Sequence, residues 1–441
     1  MNNAHSAHTQ APADKALRVA FYTFGCRLNQ AETAIIEQSF RQQGYRIVDV
    51  REPADVVVIN TCTVTENGDA DTRRLIHRVV RTNPSARIAL VGCQAQVQRD
   101  RLLEMPNVYW VVGNAEKMEF LSILQEGIPE TPVVRTPTIP RTPFTIPVAG
   151  LDTRHTRANL KIQDGCDFFC SFCEIPFARG RARSREFQDI IREARELVRA
   201  GHHELVLTGI NIGTYSDGDK QLVDVVEALL SIPELWRLRI SSIEPTTIPD
   251  ALVELMQSHE RFCRHLHVPL QSGSNRILAR MKRKYTAEEF AEFIWRVHQQ
   301  IPEVCLGTDV IVGFPGETDD DFEETYRLLK ELPLAYFHVF RYSERDHAPS
   351  RRYADKVDRE VIIERSARLR ELSARKRRLY YQQFIGKTER VLFEQKKGGF
   401  WIGLTDTYIR VKVQSDQDLH NRLMSVRLTG VEDQMMTGII L

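Results

Sequence analysis

Hydrophobic positions divide the chain into three stretches of different rhythm. In the first, short apolar runs alternate with segments whose apolar residues recur every three or four positions. Arg18–Tyr22, Val56–Asn60 and Arg87–Val91 read as strands, and the segments from Ala31 to Gln43 and from Ala70 to Thr82 read as helices. This alternation predicts a parallel α/β sheet. A Pro/Thr-rich stretch from Pro129 to Pro147 reads as an extended linker. Beyond it the pattern strand–loop–helix recurs, with strands at Asn159–Ile162, Glu204–Leu207, Arg237–Ser241, His265–Val268, Thr308–Val312 and Tyr336–Phe340 and amphipathic helices such as Asp189–Arg199 and Asp321–Glu331. That is the pattern of a partial or full (β/α) barrel, which carries its chemistry on the loops at the C-terminal ends of the strands. Asp358–Tyr381 reads as a long charged helix. From Gly386 the rhythm becomes short alternating strands, Glu389–Glu394, Phe400–Leu404, Tyr408–Val413, Ser425–Leu428 and Thr437–Leu441, which predict a small antiparallel barrel. The expected organisation is therefore an α/β protein of three units, residues 17–128, 151–383 and 386–441, with a linker at 129–150.

Composition narrows the class. A chain of 441 residues exceeds one ordinary domain, and 42% hydrophobic with 27% charged residues describes a soluble globular protein. Lys+Arg 60 against Asp+Glu 59 leaves a net charge of +1, so any attraction to nucleic acid has to come from a local basic face. The run Arg375-Lys376-Arg377-Arg378 is one candidate, a phosphate contact or simply a solvated helix face. The chain contains no apolar run of membrane-spanning length and no signal-peptide core, so a cytoplasmic protein with no membrane partner is expected. Met1–Lys15 is polar and is expected to be a disordered head.

The eight cysteines fit a reducing compartment and metal ligation better than disulfides. Cys166, Cys170 and Cys173 stand in Gly165-Cys166-Asp167-Phe168-Phe169-Cys170-Ser171-Phe172-Cys173. Three thiolates this close on one loop can hold three irons of a [4Fe–4S] cube and leave the fourth open to a substrate. The bland alternative is an apolar helical stripe, which Gly165, Pro176 and the charged run Arg179–Arg185 oppose. Cys26, Cys62 and Cys93 each follow one of the first three strands. The ends of parallel strands share one edge, where ligands bind in open α/β folds, so three thiolates converge there and suit a second cluster. Their bland reading is three small buried side chains. Cys263 and Cys305 lack any motif and read as core.

The Cys166–Cys173 run resembles the radical S-adenosylmethionine (SAM) superfamily, and the following segment Glu174-Ile175-Pro176-Phe177-Ala178-Arg179-Gly180-Arg181-Ala182-Arg183-Ser184-Arg185 is similar to the methylthiotransferases within it. So are Gly25-Cys26-Arg27-Leu28-Asn29-Gln30, Asn60-Thr61-Cys62-Thr63-Val64-Thr65 and Gly92-Cys93. The resemblance runs from about Leu17 to the C-terminus, where the last strands are similar to the RNA-binding TRAM barrel. It implies two [4Fe–4S] clusters, the SAM-cleaving one on Cys166, Cys170 and Cys173 and an auxiliary one on Cys26, Cys62 and Cys93. SAM contacts are implied at Phe172, Gly209, Asn211, Ser242, Glu244 and Gln271, which lie beside the cysteines or at the ends of barrel strands. Phe400, Trp401 and Tyr408 either stack RNA bases or fill the small barrel.

The activity implied is radical insertion of a methylated sulfur into an unactivated C–H bond, with SAM as radical source and methyl donor. A low-potential electron donor such as flavodoxin is implied with it. Branches of the family act on the adenosine 3′ of a tRNA anticodon or on an aspartate of a ribosomal protein. Gly25–Thr33 is most similar to the branch acting on threonylcarbamoyl-adenosine, with the tRNA anticodon stem-loop as partner, and Arg27 stands where the ribosomal branch has proline. Asp346-His347 after Tyr342-Ser343-Glu344-Arg345 departs from the Gly-Thr usual there. Open alternatives are isopentenyl-adenosine or the ribosomal aspartate as substrate, a non-catalytic RNA-binding iron–sulfur protein, and a zinc protein.

Overall fold

The structure is a computed structural model that describes residues 17–151 and 155–441. The head expected at Met1–Lys15 lies outside the described residues. The first unit is a parallel sheet of six strands, β1 (Arg18–Thr23), β2 (Arg46–Val48), β3 (Val56–Thr61), β4 (Arg87–Gly92), β5 (Val108–Val112) and β6 (Val133–Arg135), in the order β2-β1-β3-β4-β5-β6. The central strands β3 and β4 are apolar on both faces because helices cover both, so burial is almost complete along them. The edge strands β2 and β6 are too short to stand out by periodicity. β6 lies inside the Pro/Thr-rich stretch expected to be an extended linker, where Val133–Arg135 pairs in register with Trp110–Val112.

Helix α1 (Arg27–Gln42) starts four positions before the expected Ala31, directly after Cys26, and α2 (Glu66–Thr82) starts four positions before the expected Ala70. In both cases the polar first turn hides the start. For α2 it is a capped turn, with the Thr65 hydroxyl accepting from the Gly68 N–H at 3.2 Å. A short helix α3 (Cys93–Val97) follows β4.

The second unit has six parallel strands in sequence order, β7 (Arg157–Lys161), β8 (Glu204–Thr208), β9 (Arg237–Ile240), β10 (His265–His267), β11 (Cys305–Val312) and β12 (Tyr336–Arg341). They form two three-stranded sheets, joined between β9 and β10 by the single bridges Leu238↔Phe262 and Ser242↔His267. One apolar core runs beneath all of them, from Ala158 to Phe337. A short helix of five residues, α4 (Ile175–Arg179), follows the cysteine loop, and a long helix, α5 (Arg359–Gln382), ends the unit.

The third unit is a closed five-stranded barrel of β13 (Thr388–Lys397), β14 (Phe400–Leu404), β15 (Arg410–Gln414), β16 (Leu423–Glu432) and β17 (Met435–Ile440). It seats on the second unit through arginines of the strands there. Arg239 donates to the carbonyls of Thr405 and Asp406 at 3.0 and 2.9 Å, Arg237 to that of Leu404 at 2.8 Å, and Arg157 to Glu394 Oε1 at 2.6 Å. Tyr408, expected in a strand, instead lies in the turn before β15 with φ +62° and stacks on His265 at 4.2 Å. Trp401 is buried in the small barrel, while Phe400 is exposed. No helix among the described residues is long and apolar enough to cross a membrane.

Candidate active site

The first cysteine set is fixed by its flanks. Cys166 donates its N–H to the Gly180 carbonyl at 3.1 Å, and Gly165 (φ +72°) lies so close to the same segment that an added Cβ would sit 2.0 Å from the Arg181 carbonyl oxygen. Ser171 N–H bonds the Met281 carbonyl at 3.0 Å and its hydroxyl bonds the Arg280 carbonyl at 2.8 Å. The loop brings its three thiols near enough to influence one another's ionisation. Phe168 N–H donates to Cys166 Sγ at 3.4 Å and Arg283 Nη1 to Cys170 Sγ at 3.1 Å. Burial holds the Cys166 thiol up at about 11, and it also raises Cys173, helped by the neighbouring Cys170 charge. Burial raises Cys170 as well, opposed by Arg283. Thiols this reluctant to ionise would become thiolates only on binding a metal.

The second set comes from three strand ends, as expected for a shared edge. Asn29, fully buried on α1, ties them: its amide donates to the Phe24 carbonyl at 2.8 Å and the Thr61 carbonyl at 3.0 Å, and Asn60 donates back to the Asn29 carbonyl at 3.0 Å. Gly25 (φ +93°) lies against Cys62, where a Cβ would stand 2.8 Å from Sγ. Thr61 Oγ1 accepts from the N–H groups of Gln94 and Ala95 at 3.1 and 3.3 Å and so starts α3 at Cys93. Asn114 Nδ2 lies 3.6 Å from Cys93 Sγ. Cys26 is exposed, Cys62 half-buried with its thiol pushed up to about 12 chiefly by burial, and Cys93 buried. Among the described residues, the group whose ligand atoms all lie within 4.8 Å of one another is His267, Asp309 and His338. Both cysteine sets are wider than that, which suits a multi-iron cluster better than a single zinc ion.

Between the two sets lies a buried charge lattice. Arg179 reaches Glu32 at 3.0 and 2.9 Å, Asp164 at 3.0 Å, and Asn29. Lys161 reaches Glu32 at 2.7 Å and Asp164 at 2.8 Å, and Lys117 completes the shell around Glu32. Burial alone would raise the Glu32 carboxyl, but Arg179, Lys117 and Lys161 outweigh it and hold it well below the ordinary range. The lattice binds the first sheet to the second unit. Its Arg179 Nε is buried without a hydrogen-bond partner; burial opposes the guanidinium charge, and the anionic groups around it, Glu32 and Asp164 among them, outweigh burial. A thiolate-ligated cluster there would meet a positive wall.

Two cavities open between the sets. One, of about 170 Å³, is lined by Phe172, Cys173, Gln271, Asp309, Ile311, Phe340 and Tyr342. The other, of about 470 Å³, is lined by Cys26, Arg27, Gly209, Ser242, His265, His267, Asp309, His338, Phe340 and Tyr408. They share Asp309 and Phe340. The residues expected to contact SAM therefore divide. Phe172 and Gln271 face the first cavity, Gln271 with φ +73°. Gly209 and Ser242 face the second. Asn211 is buried beside Thr247, with Thr247 Oγ1 3.2 Å from its Oδ1, and Glu244 is ion-paired with Arg283 behind Cys170.

The segment Ser343–Ser350 straps the two sets together. Arg345 reaches Asp69 at 2.8 Å and the Thr63 carbonyl at 3.3 Å, beside Cys62. Ser350 N–H bonds the Ser171 carbonyl at 2.8 Å. Asp346 pairs with Arg101 at 3.1 Å, and His347 Nδ1 lies 2.5 Å from Glu174 Oε1, next to Cys173. The departure noted at Asp346-His347 thus lies on this strap. Sequence reasoning missed Arg283, Glu32, Lys117 and His267. Arg283 follows a strand–loop–helix turn and carries no spacing signal, while Glu32 was legible only as part of the Cys26 motif.

The barrel with its cysteine loop defines a radical SAM enzyme, and residues 160–329 match the Radical SAM superfamily. Residues 18–113 match a family described as the uncharacterized protein family UPF0004. The chain is 38% identical over 423 residues to the threonylcarbamoyladenosine tRNA methylthiotransferase MtaB of Bacillus subtilis, covering 93% of each. It is 38% identical over 403 residues to MtaB of Aquifex aeolicus, covering 90% of this chain and 96% of that one. It is 30% identical to the tRNA-2-methylthio-N(6)-dimethylallyladenosine synthase of Ehrlichia canis, over 95% of this chain and 98% of that one. The chain belongs to the radical SAM methylthiotransferase family. A solved radical SAM methyltransferase, TsrM from Kitasatospora setae with cobalamin and a [4Fe-4S] cluster bound, shares the fold with TM-score 0.58 at 15% identity, covering 76% of this chain and 77% of that one.

Proposed function

We propose that this protein methylthiolates the threonylcarbamoyl-adenosine 3′ of the anticodon in tRNA. The observation that carries the reading is the pair of cavities, one at Cys173 and one at Cys26, that share Asp309 and Phe340. A substrate base held there touches both cysteine sets at once. Three units divide the work: residues 17–128, with β6 added to their sheet, carry the auxiliary cysteines, 151–383 the radical core, and 386–441 the RNA-binding barrel. A low-potential reductant such as flavodoxin and a cytoplasmic location complete the reading, since tRNA and the reductant are found there.

Cys166, Cys170 and Cys173 would hold one [4Fe–4S] cluster and Cys26, Cys62 and Cys93 a second, the first supplying the electron that splits SAM into methionine and a 5′-deoxyadenosyl radical and the second the sulfur environment. The chain's own residues position and shield. Phe172, Ile311 and Tyr342 wall the small cavity with apolar surface that excludes water. Arg283, clamped by Glu244, stabilises the Cys170 thiolate. The lattice around Glu32 fixes the distance between the two sets. Tyr408 brings the small barrel's turn to the second cavity, so an RNA on that barrel has its base beside Cys26.

Mass spectrometry of tRNA nucleosides from cells with and without the gene tests the reading. Loss of the methylthio form of threonylcarbamoyl-adenosine, with build-up of its precursor, is the expected result. An unchanged profile overturns the tRNA substrate.

A further inference from the structure

The larger cavity is lined by an arginine that pairs with no carboxylate among the described residues. Arg27, the residue after Cys26, lines it and has only neutral partners among the described residues: Tyr408 Oη at 3.2 Å and Asn159 Oδ1 at 3.5 Å. Arg239 lines it too and is spent on Glu204 at 2.8 Å and on carbonyls. The single carboxylate on the wall, Asp309, is engaged by His267 Nε2 at 2.9 Å. His265 Nδ1 is buried without a partner. Tyr408 registers the resulting field. Burial would raise its hydroxyl, but Arg27, Arg157 and Arg239 outweigh burial and pull it below its usual value. The same arginines favour an anion in the chamber.

We infer that this chamber binds a carboxylate carried on the substrate base, with Arg27 as the residue that tells a threonylcarbamoyl group from an uncharged dimethylallyl group. The inference rests on the function proposed above. The two substituents named among the relatives differ in chemistry: threonylcarbamoyl carries a carboxylate and a hydroxyl, and dimethylallyl is hydrocarbon. A hydrocarbon group in this chamber would take Arg27 out of water with only its neutral partners Tyr408 and Asn159, and would leave the His265 nitrogen unpaired, which costs more than a lost contact. A carboxylate at Arg27 would gain a charge-assisted, two-pronged hydrogen bond. The chamber, about 470 Å³, is of nucleoside size. Arg27 sits at the first turn of α1, directly after Cys26.

A backbone phosphate offers the same charge, and the test separates the two sources. Anticodon stem-loop RNAs carrying threonylcarbamoyl-adenosine, dimethylallyl-adenosine or plain adenosine at the same position are titrated by fluorescence anisotropy at fixed salt. The protein carries its clusters, with iron content and visible absorbance checked for each variant. Wild type is expected to bind the threonylcarbamoyl RNA about tenfold tighter than the other two. Arg27→Gln is expected to abolish that preference while binding plain RNA like wild type, and Arg27→Lys to keep most of it. Equal binding of all three RNAs by wild type overturns the inference. So does an Arg27→Gln loss spread evenly over the three, which assigns Arg27 to backbone phosphate. Methylthio product is measured on the same RNAs: product on threonylcarbamoyl RNA with an unaltered preference in Arg27→Gln sinks this inference alone, whereas absence of product from wild type sinks the function beneath it.

Discussion

The two cysteine sets reach similar chemistry by opposite routes. Cys166, Cys170 and Cys173 share one loop, and the chain between them fixes their spacing. Cys26, Cys62 and Cys93 are separated by whole strand–helix units, and only the parallel sheet and the Asn29–Asn60 bonds bring them together. Their supports differ as well. The local set leans on one guanidinium, Arg283, and on backbone N–H groups. The dispersed set backs onto the buried lattice of Glu32, Asp164, Lys117, Lys161 and Arg179. A site assembled from distant segments needs a rigid base, and a buried ion lattice is rigid because any departure leaves a charge unpaired.

The sharpest way to break the comparison is to remove one thiol from each set. Cys170→Ala is expected to abolish formation of 5′-deoxyadenosine from SAM. Cys62→Ala is expected to leave that formation partly intact while eliminating methylthiolated product. Chromatography of the small-molecule products beside mass spectrometry of the RNA distinguishes them. Methylthiolation at the wild-type rate by the Cys62 variant would show that the two sets do not divide the work.

Arg179→Leu attacks the lattice. It strands Glu32 and Asp164 with fewer cations in a fully buried place, and removing one partner of such a pair costs about 3–5 kcal/mol. Thermal unfolding followed by circular dichroism reads the loss. Arg283→Gln attacks the support of the local set instead. It is expected to lower SAM cleavage about 10- to 100-fold, the usual effect of losing a hydrogen bond onto a metal ligand. Adding Glu244→Gln should restore stability, because the stranded carboxylate is gone, without restoring cleavage. If the double variant cleaved SAM at the wild-type rate, Arg283 would be a structural residue and nothing more.

The contrast between the sets also explains what the sequence disclosed. The strand–helix alternation gave β1, β3 and β4 to within a residue, and the strand ends then put Cys26, Cys62 and Cys93 on one edge. The local motif was legible from spacing alone. The missed pieces share a cause. Edge strands β2 and β6 are three residues each, too short for a period to form. Arg283, His267 and the lattice cations matter through partners on other units, and partners far along the chain leave no mark on local spacing. Tyr408 was misplaced in a strand because aromatic residues favour strands, whereas its left-handed backbone and its stacking on His265 are tertiary facts.

The smallest expected effect compares two buried carboxylates. Glu32 is surrounded by three cations and stays ionised. Glu389, at the seat of the small barrel, has Arg264 only at 3.7 Å. Burial, with Asp406 beside it, raises the Glu389 carboxyl to about 7. Its folded value thus lies above the ordinary value of 4.5 expected of the unfolded chain. A carboxyl raised in this way favours the folded state when protonated. The stability it contributes is complete below about pH 4.5 and is lost as pH rises through about 7. Solvent screening at this partly accessible position reduces the effect to about 1 kcal/mol, a degree or two in melting temperature. Glu389→Gln is expected to remove that part of the pH dependence and to melt above wild type at pH 8 while matching it near pH 5. A melting difference between the two that stayed constant from pH 5 to pH 8 would mean that Arg264 balances Glu389 as fully as the lattice balances Glu32, and the contrast between the two sites would disappear.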